Sequence, residues 1–326
     1  MSKTGSPGVL EMRQIQKPVM THPCDVLVHL KAAGVNPLDT KLRNSGTYAR
    51  EQQEAILGCD GAGVVEAVGE SVTRFKPGDA VYYCHGGIGL APGNNAEFAV
   101  VPEWFLAEKP ASLNFIEAAA TPLVLITAWE SLFDRARIQA GQKVFVHAGA
   151  GGVGHVAIQL ARIAGCDVAT TVGSDEKAAF VRRLGADHVI NYRKQDVTQA
   201  LLEWTDGKGV DVAFDTVGGG AFRQLISAVR VYGDLVTILQ VPEDTDWKTV
   251  RLRNIRISQE LMLTPMIMNL KNAAHHQSDI LKRCAAYFDD GSLSVHVSHT
   301  LLLEQTADAH RLIEAAGMMG KIVLEI

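Results

Sequence analysis

The sequence predicts an α/β protein in which a β-rich unit is followed by a doubly wound parallel sheet. Three observations carry this. Short alternating apolar runs separated by turn signals fill roughly residues 1–115. From Lys143 onward strand-like and helix-like segments alternate, the pattern of a parallel sheet covered by helices on both faces. Between the first such strand and helix lies Gly149-Ala150-Gly151-Gly152-Val153-Gly154, which fits G-x-G-x-x-G. Gly149 is expected to allow the sharp strand-to-helix turn, Gly151 to let a pyrophosphate approach the backbone, and Gly154 to let helix and strand pack closely. Free N–H groups at the helix start then face the phosphates. A plain glycine turn is the alternative; the readable strand before it and helix after it favour a dinucleotide.

The 326 residues suit two domains of ordinary size. An apolar share of 47% and a charged share of 21% are those of a soluble globular protein. The net charge of −5 comes without a basic stripe, which argues against nucleic acid as a partner. No apolar run reaches the roughly 18 residues of a membrane span, and the polar start lacks the apolar stretch of a secretory leader. Five scattered cysteines, an odd number, point to reduced thiols and a cytoplasmic location.

Taken in order, residues 25–31 alternate as a strand, and Ala32 to Asp39 is expected to turn at Gly34 and the pre-proline Asn36. Residues 62–68, 80–83 and 96–101 are further strands, with a glycine-rich loop over 84–95. Phe115 to Phe133 reads as a helix interrupted at Pro122. Strands are then expected at 143–147, 167–172, 188–190, 211–215 and 235–239, and helices at 152–164, 175–184, 196–204 and 219–229. Beyond Pro242 the reading is an edge strand within 255–263, helices over 278–289 and 306–316, and strands at 295–297 and 322–324.

Several separate runs now fit one family. They are Ala33-Gly34-Val35-Asn36-Pro37-Leu38-Asp39, Arg43-Asn44-Ser45-Gly46-Thr47-Tyr48, Gly58-Cys59-Asp60-Gly61-Ala62-Gly63-Val64-Val65, Phe75-Lys76-Pro77-Gly78-Asp79, the glycines of 149–154, and Asp215-Thr216-Val217-Gly218. With them the chain resembles the medium-chain dehydrogenase/reductase superfamily, and within it the zinc-independent, zeta-crystallin-like quinone oxidoreductase branch. The resemblance runs in order over nearly the whole chain. It implies a GroES-like catalytic domain, residues 1–115 and 270–326, and a Rossmann NADP-binding domain, residues 116–269, with the active site in the cleft between them. Relatives open with a strand that the short polar lead here does not match, so that strand is either missing or reshaped.

The cofactor follows from the strand ending at Val172. NAD-specific folds place Asp or Glu about 20 residues past the glycines to bond the ribose 2′-hydroxyl. Gly173 stands there instead, so no carboxylate repels a 2′-phosphate. Ser174 and Lys177 offer a hydroxyl and a cation, and Tyr192 matches the family position beside the same phosphate. NADPH is therefore expected; the alternative is a solvated Lys177 and an Asp175 that caps the helix. The resemblance also places Thr127 near the nicotinamide, and Val217, Leu239 and Gln240 at the strand ends below its ribose. Lys41 is a further cofactor candidate. Lys321 either approaches the cofactor from the returning segment or is a surface lysine.

No metal is expected. Zinc-dependent relatives carry Cys where this chain has Asn36 and Gly-His-Glu where it reads Gly58-Cys59-Asp60, and the region 84–100 offers only Cys84 of a four-cysteine structural lobe. A catalytic zinc takes about three protein ligands and an open position, a set broken here at two places. A family label mentioning zinc then describes ancestry. Without a Lewis acid the fitting acceptor is already electron-poor, a quinone or an α,β-unsaturated carbonyl whose oxygen takes charge through hydrogen bonds. Asn36 and Tyr48 are the candidates to provide them, with Lys41 and Arg43 as nearby cations; Asn36 as a mere turn residue and Tyr48 as a cover of the cleft are the alternatives. Cys59 reads as a buried thiol, His147 as packed, and His275-His276 as solvated surface. The Met-rich run Leu261 to Met268 suits an adaptable apolar site, an interface or ordinary core.

The leading expectation is an NADPH-dependent quinone reductase. An NADPH-dependent enone or alkenal double-bond reductase, a zinc-dependent alcohol dehydrogenase and a low-turnover NADPH-binding protein are the alternatives. By resemblance the protein forms a homodimer through Val231 to Leu239 and Ile255 to Leu263.

Overall fold

The computed structural model describes residues 1–49 and 54–326. They form two compact units, Met1–Leu123 with Leu263–Ile326, and Val124–Met262. Before Asp25 the described residues contain a single 3-10 turn, Pro7–Val9, and no strand.

The first unit begins with β1 (Asp25–Val35), α1 (Pro37–Ser45), β2 (Asp60–Val68), β3 (Ala80–Cys84), β4 (Phe98–Pro102), β5 (Leu106–Glu108) and α2 (Phe115–Ala119). β1 runs four residues into the expected turn, to Val35. Ala32 to Gly34 are paired on both sides, to β2 and to a strand from the chain's C-terminal end, which Val35 also pairs, and this pairing outweighs the local glycine signal. Gly34 is needed there for space, since a Cβ would lie 2.3 Å from the Ala119 carbonyl oxygen. α2 starts in a capping box. Asn114 Oδ1 accepts from Glu117 N at 2.8 Å and Glu117 Oε2 from Asn114 N at 2.9 Å.

The expected helix over 115–133 is in fact α2, α3 (Pro122–Trp129) and a wider π-type turn at Glu130–Arg135. The second unit then alternates β6 (Lys143–Val146), α4 (Gly152–Ile163), β7 (Asp167–Val172), α5 (Asp175–Arg183), β8 (His188–Asn191), α6 (Val197–Trp204), β9 (Val210–Asp215), α7 (Gly219–Ala228), β10 (Val229–Thr237), α8 (Trp247–Leu252) and β11 (Arg256–Gln259). All six strands are parallel, in the order β11-β10-β9-β6-β7-β8. The order reverses between β6 and β9, which is where a doubly wound sheet opens a crevice at its strand ends. Phe145, Ala169, Leu201, Phe222, Leu225 and Leu235 are among the residues packing helices onto this sheet. Side-chain caps start its helices, with Ser174 on α5, Asp196 on α6 and Asp246 on α8. β10 spans 229–237 rather than 235–239, because α7 passes into it directly and a register shift between Val229 and Asp234 absorbs the irregularity.

The chain closes the first unit with α9 (Thr264–Ile267), α10 (Lys271–Asp289), β12 (Val297–Leu302), α11 (Thr306–Glu314) and β13 (Lys321–Glu325). α10 begins seven residues earlier than its clearest apolar spacing indicated. β12 begins at Val297, where residues 295–297 had been expected, and it pairs in parallel with β13. The first sheet is ordered β12-β13-β1-β2-β3-β5, with β4 also on β1. Ala33, Val35, Leu303, Ala309, Ile322 and Leu324 form the core beside α11.

Candidate active site

The glycine turn follows β6 at the switch point of the second unit. Gly151 is the N-cap of α4, and the N–H groups of Gly152, Val153 and Gly154 meet no backbone acceptor among the described residues. Each glycine has a distinct reason. The left-handed conformation falls on Ala148 (φ 51°), not on Gly149 as the sequence suggested. Gly149 is required for space instead, because a Cβ there would sit 2.1 Å from Thr170 Oγ1 and 2.7 Å from Ile158 Cδ1. At Gly154 a Cβ would come within 2.4 Å of the Ala148 carbonyl, the expected close packing. At Gly151 it would meet only that carbonyl, at 3.2 Å, so space is open above the helix start. These residues fit a pyrophosphate: donors, a positive helix end and room coincide.

At the end of β7, a Cβ on Gly173 would lie 2.7 Å from Tyr192 Oη. Ser174, not Asp175, caps α5, accepting from Lys177 N at 3.3 Å. Asp175 pairs with Lys194 at 3.1 Å. Lys177 has no ion pair among the described residues, and Tyr192 is exposed. At the end of β9 the buried Asp215 accepts from His147 Nδ1 at 3.2 Å, from the N–H groups of Val217 and Gly218 at 3.0 Å, and from Thr237 Oγ1 at 2.8 Å. Burial alone would raise its pKa, but these donors hold it below the usual carboxylate value. His147 is thus packed, as expected, and it helps fix the loop bearing Val217. Leu239 and Gln240 lie just past β10 rather than in it, Leu239 against Gly218. Thr127 is buried in α3.

In the first unit the sequence candidates divide. Lys41 and Tyr48 line one cavity of about 730 Å³, and Tyr48 is 46% exposed. Arg43 is not an available cation. It is buried, with Nε donating to the Gly5 carbonyl at 2.8 Å and the rest of its guanidinium on Asn44, His310 and Glu314. Asn36 precedes α1, and its backbone N–H donates to Asp39 Oδ2 at 2.8 Å. Its side chain is not a turn device. Nδ2 donates to Asp60 Oδ2 at 2.8 Å, and Oδ1 accepts from the Lys321 ammonium. Lys321 Nζ also lies 3.4 Å from Asp60 Oδ2. Asn36, Asp60 and Lys321 are 1%, 0% and 3% exposed, so Lys321 is no surface lysine. Asp60 Oδ1 accepts from Leu123 N at 2.7 Å. Sequence reading missed this network; β13 delivers Lys321 from 285 residues away, and no local signal links it to Asn36.

Burial pushes the Asp39 carboxyl up to about 7; the N–H of Asn36 pulls it back and the Asp60 charge raises it further. The folded state therefore holds this proton more tightly than the unfolded chain, and the contribution to stability falls as pH rises from about 4 to about 7, then levels off. His85 and His310, which burial lowers to about 4, act with the opposite sign over this range. Asp39→Asn keeps the acceptor for Asn36 N. In thermal melts across this range its stability should gain on the parent's as pH rises; parallel curves would contradict the assignment.

Cys59 is buried beside Cys84; the hydrogen bond between the thiols lowers its pKa, but burial and the nearby carboxylates of Asp39 and Asp60 outweigh this and raise it. His275 packs on Arg74 at 3.4 Å rather than lying solvated, while His276 is exposed. In the Met-rich run Met262, Leu263 and Met266 are buried, and Leu261 and Met268 are exposed.

Residues 22–111 match the alcohol dehydrogenase GroES-like domain, and residues 184–324 match the family described as zinc-binding dehydrogenase. A zinc-type alcohol dehydrogenase-like protein of Staphylococcus aureus is 32% identical, over 93% of this chain and 91% of its own. A quinone oxidoreductase of Pseudomonas aeruginosa is 33% identical, over 98% and 96%. The chain belongs to the medium-chain dehydrogenase/reductase superfamily. Like other members of that superfamily it is an oxidoreductase, with a GroES-like domain and a Rossmann-like nucleotide-binding domain. The crystal structure of an alcohol dehydrogenase superfamily protein from Novosphingobium aromaticivorans matches at TM-score 0.92 and 34% identity, over 99% of this chain and 98% of that one. The Escherichia coli quinone oxidoreductase complexed with NADPH matches at 0.87 and 27%, over 100% and 98%.

A zinc ion, named in the description of the family matched over residues 184–324, does not fit these residues. Asn36 holds its carboxamide between a carboxylate and an ammonium, and the Lys321 charge beside Asp60 repels a second cation. Among the described residues no three His, Cys, Asp or Glu side chains are grouped to hold a metal ion. Among the described residues no helix is long and apolar enough to cross a membrane.

Proposed function

We propose that this protein is an NADPH-dependent reductase that passes hydride to a quinone without a metal. The Lys321 ammonium on Asn36 and Asp60 carries the metal-free part of this reading, because it stands among the positions a zinc would need. NADPH would supply the hydride. Gly149 to Gly154 would hold its pyrophosphate; Gly173, Ser174, Lys177 and Tyr192 its 2′-phosphate; and Thr127, Val217, Leu239 and Gln240 its nicotinamide end, with Lys41 a further contact. The E. coli and P. aeruginosa quinone oxidoreductases support the acceptor class. Asn36 and Tyr48 would donate hydrogen bonds to the acceptor's oxygen as charge develops there. Following NADPH oxidation against a panel of quinones, enones and alkenals tests the reading. Quinone reduction is the expected result, turnover only with enones or alkenals would make the protein a double-bond reductase, and tight NADPH binding without turnover would make it a binding protein.

We also propose a reducing cytoplasm as the location, supported by five free thiols, and a homodimer. β11 is the edge of the second sheet, and Val231, Tyr232 and Leu261 are exposed apolar side chains of the segments expected at the interface. Gel filtration should show twice the mass of one chain; elution as a single chain would exclude the dimer.

A further inference from the structure

The Asn36–Asp60–Lys321 network does more than fill the core. An ammonium has only donors and a carboxylate only acceptors. The Asn36 amide between them therefore has one allowed orientation, with Oδ1 to Lys321 and Nδ2 to Asp60. Flipping it would set N–H against ammonium and oxygen against carboxylate. Asp60 is itself pinned by Leu123 N, and Lys321 by the pairing of β13 with β1 and β12. One Nδ2 hydrogen serves Asp60; the other meets no acceptor among the described residues. A buried donor left over in an otherwise paired network is costly unless something accepts from it.

We propose that Lys321 and Asp60 are positioning residues that lock the Asn36 carboxamide so that its second N–H is a fixed donor to the oxygen of the electron-poor acceptor. The proposal rests on the reading of the protein as a reductase of such acceptors. It gives the buried lysine a role through Asn36 and not through the cofactor. A donor held in place before the reaction needs no reorganisation as the oxygen becomes negative, and this is what raises kcat rather than affinity.

Replacing Lys321 alone would leave the Asp60 carboxylate buried without its cation, so the test removes both charges in Lys321→Met/Asp60→Asn, alongside Asn36→Ala and the triple variant. Each is assayed with NADPH and a quinone, with NADPH affinity and the melting temperature measured in parallel. The paired variant should melt close to the parent, bind NADPH as the parent does, and lose at least about tenfold in kcat, short of the roughly hundredfold that full loss of an oxyanion donor costs because the freed Asn36 amide is still present. In the Asn36→Ala background the same pair of changes should cost no further kcat. Multiplying losses, a paired variant with parental kcat, weakened NADPH binding at unchanged kcat, or kcat lost only through unfolding would each overturn the proposal. Absence of turnover in the parent with every acceptor would overturn the underlying reading and this proposal with it, whereas parental turnover with multiplying losses overturns the proposal alone.

Discussion

Gly151→Val is expected to leave the protein folded and to weaken NADPH binding by about a hundredfold, roughly 2.7 kcal/mol. Gly151 has φ −76° and ψ 177°, an extended conformation open to any residue. The added Cβ meets only the Ala148 carbonyl oxygen, at 3.2 Å. The branches of valine then fill the space over the start of α4, where the N–H groups of Gly152 and Val153 would meet a phosphate. Gly154→Val makes the contrast. Its Cβ would be forced to 2.4 Å from the same carbonyl, against backbone that cannot swing aside, so that variant should lose stability first. Cofactor titration by fluorescence with parallel melts separates the two. NADPH affinity unchanged in Gly151→Val would remove the phosphate from this turn.

Gly173→Asp should lower kcat/KM for NADPH by about a hundredfold and leave that for NADH at least unchanged, since a carboxylate at this strand end accepts from a ribose 2′-hydroxyl and repels a 2′-phosphate. Gly173 is the place for it because β7 ends there. The neighbouring carboxylate, Asp175, is already paired with Lys194. The new Cβ would approach Tyr192 Oη at 2.7 Å, but this is the far end of an exposed side chain and can move away, which removes one phosphate neighbour while adding the repulsive charge. Lys177→Ala should act in the same direction by about tenfold, through loss of a charge-assisted hydrogen bond. An unchanged ratio of NADPH to NADH activity in both variants would contradict the cofactor assignment.

The sequence was most legible where structure is local. Most strands and helices between Lys143 and Ala228 can be read from their own apolar period, and β7 and α5 lie where the pattern put them, whereas α8 was not read and β10 was placed six residues late. The glycine turn was legible as a motif, but the reason for Gly149 was not, since that lies in Thr170 across the sheet. In the first unit two of the errors share one cause. β1 continues through Gly34 because strands from both ends of the chain pair with it, and β12 starts late because its partner β13 sets its register. The same long-range closure brings Lys321 to Asn36 and Arg43 to Glu314. Residue types pointed to Asn36 as a donor and to Arg43 as a cation; only the fold shows that the first is held by an ion pair and the second is consumed by one.

The most direct test of the account is NADPH oxidation by the purified protein with para-benzoquinone, measured before and after exhaustive treatment with a chelator and compared with NADH. The account predicts quinone-dependent turnover that prefers NADPH and is unchanged by the chelator. Loss of activity on chelation with recovery on adding zinc, or no NADPH consumption with the quinone, would contradict it.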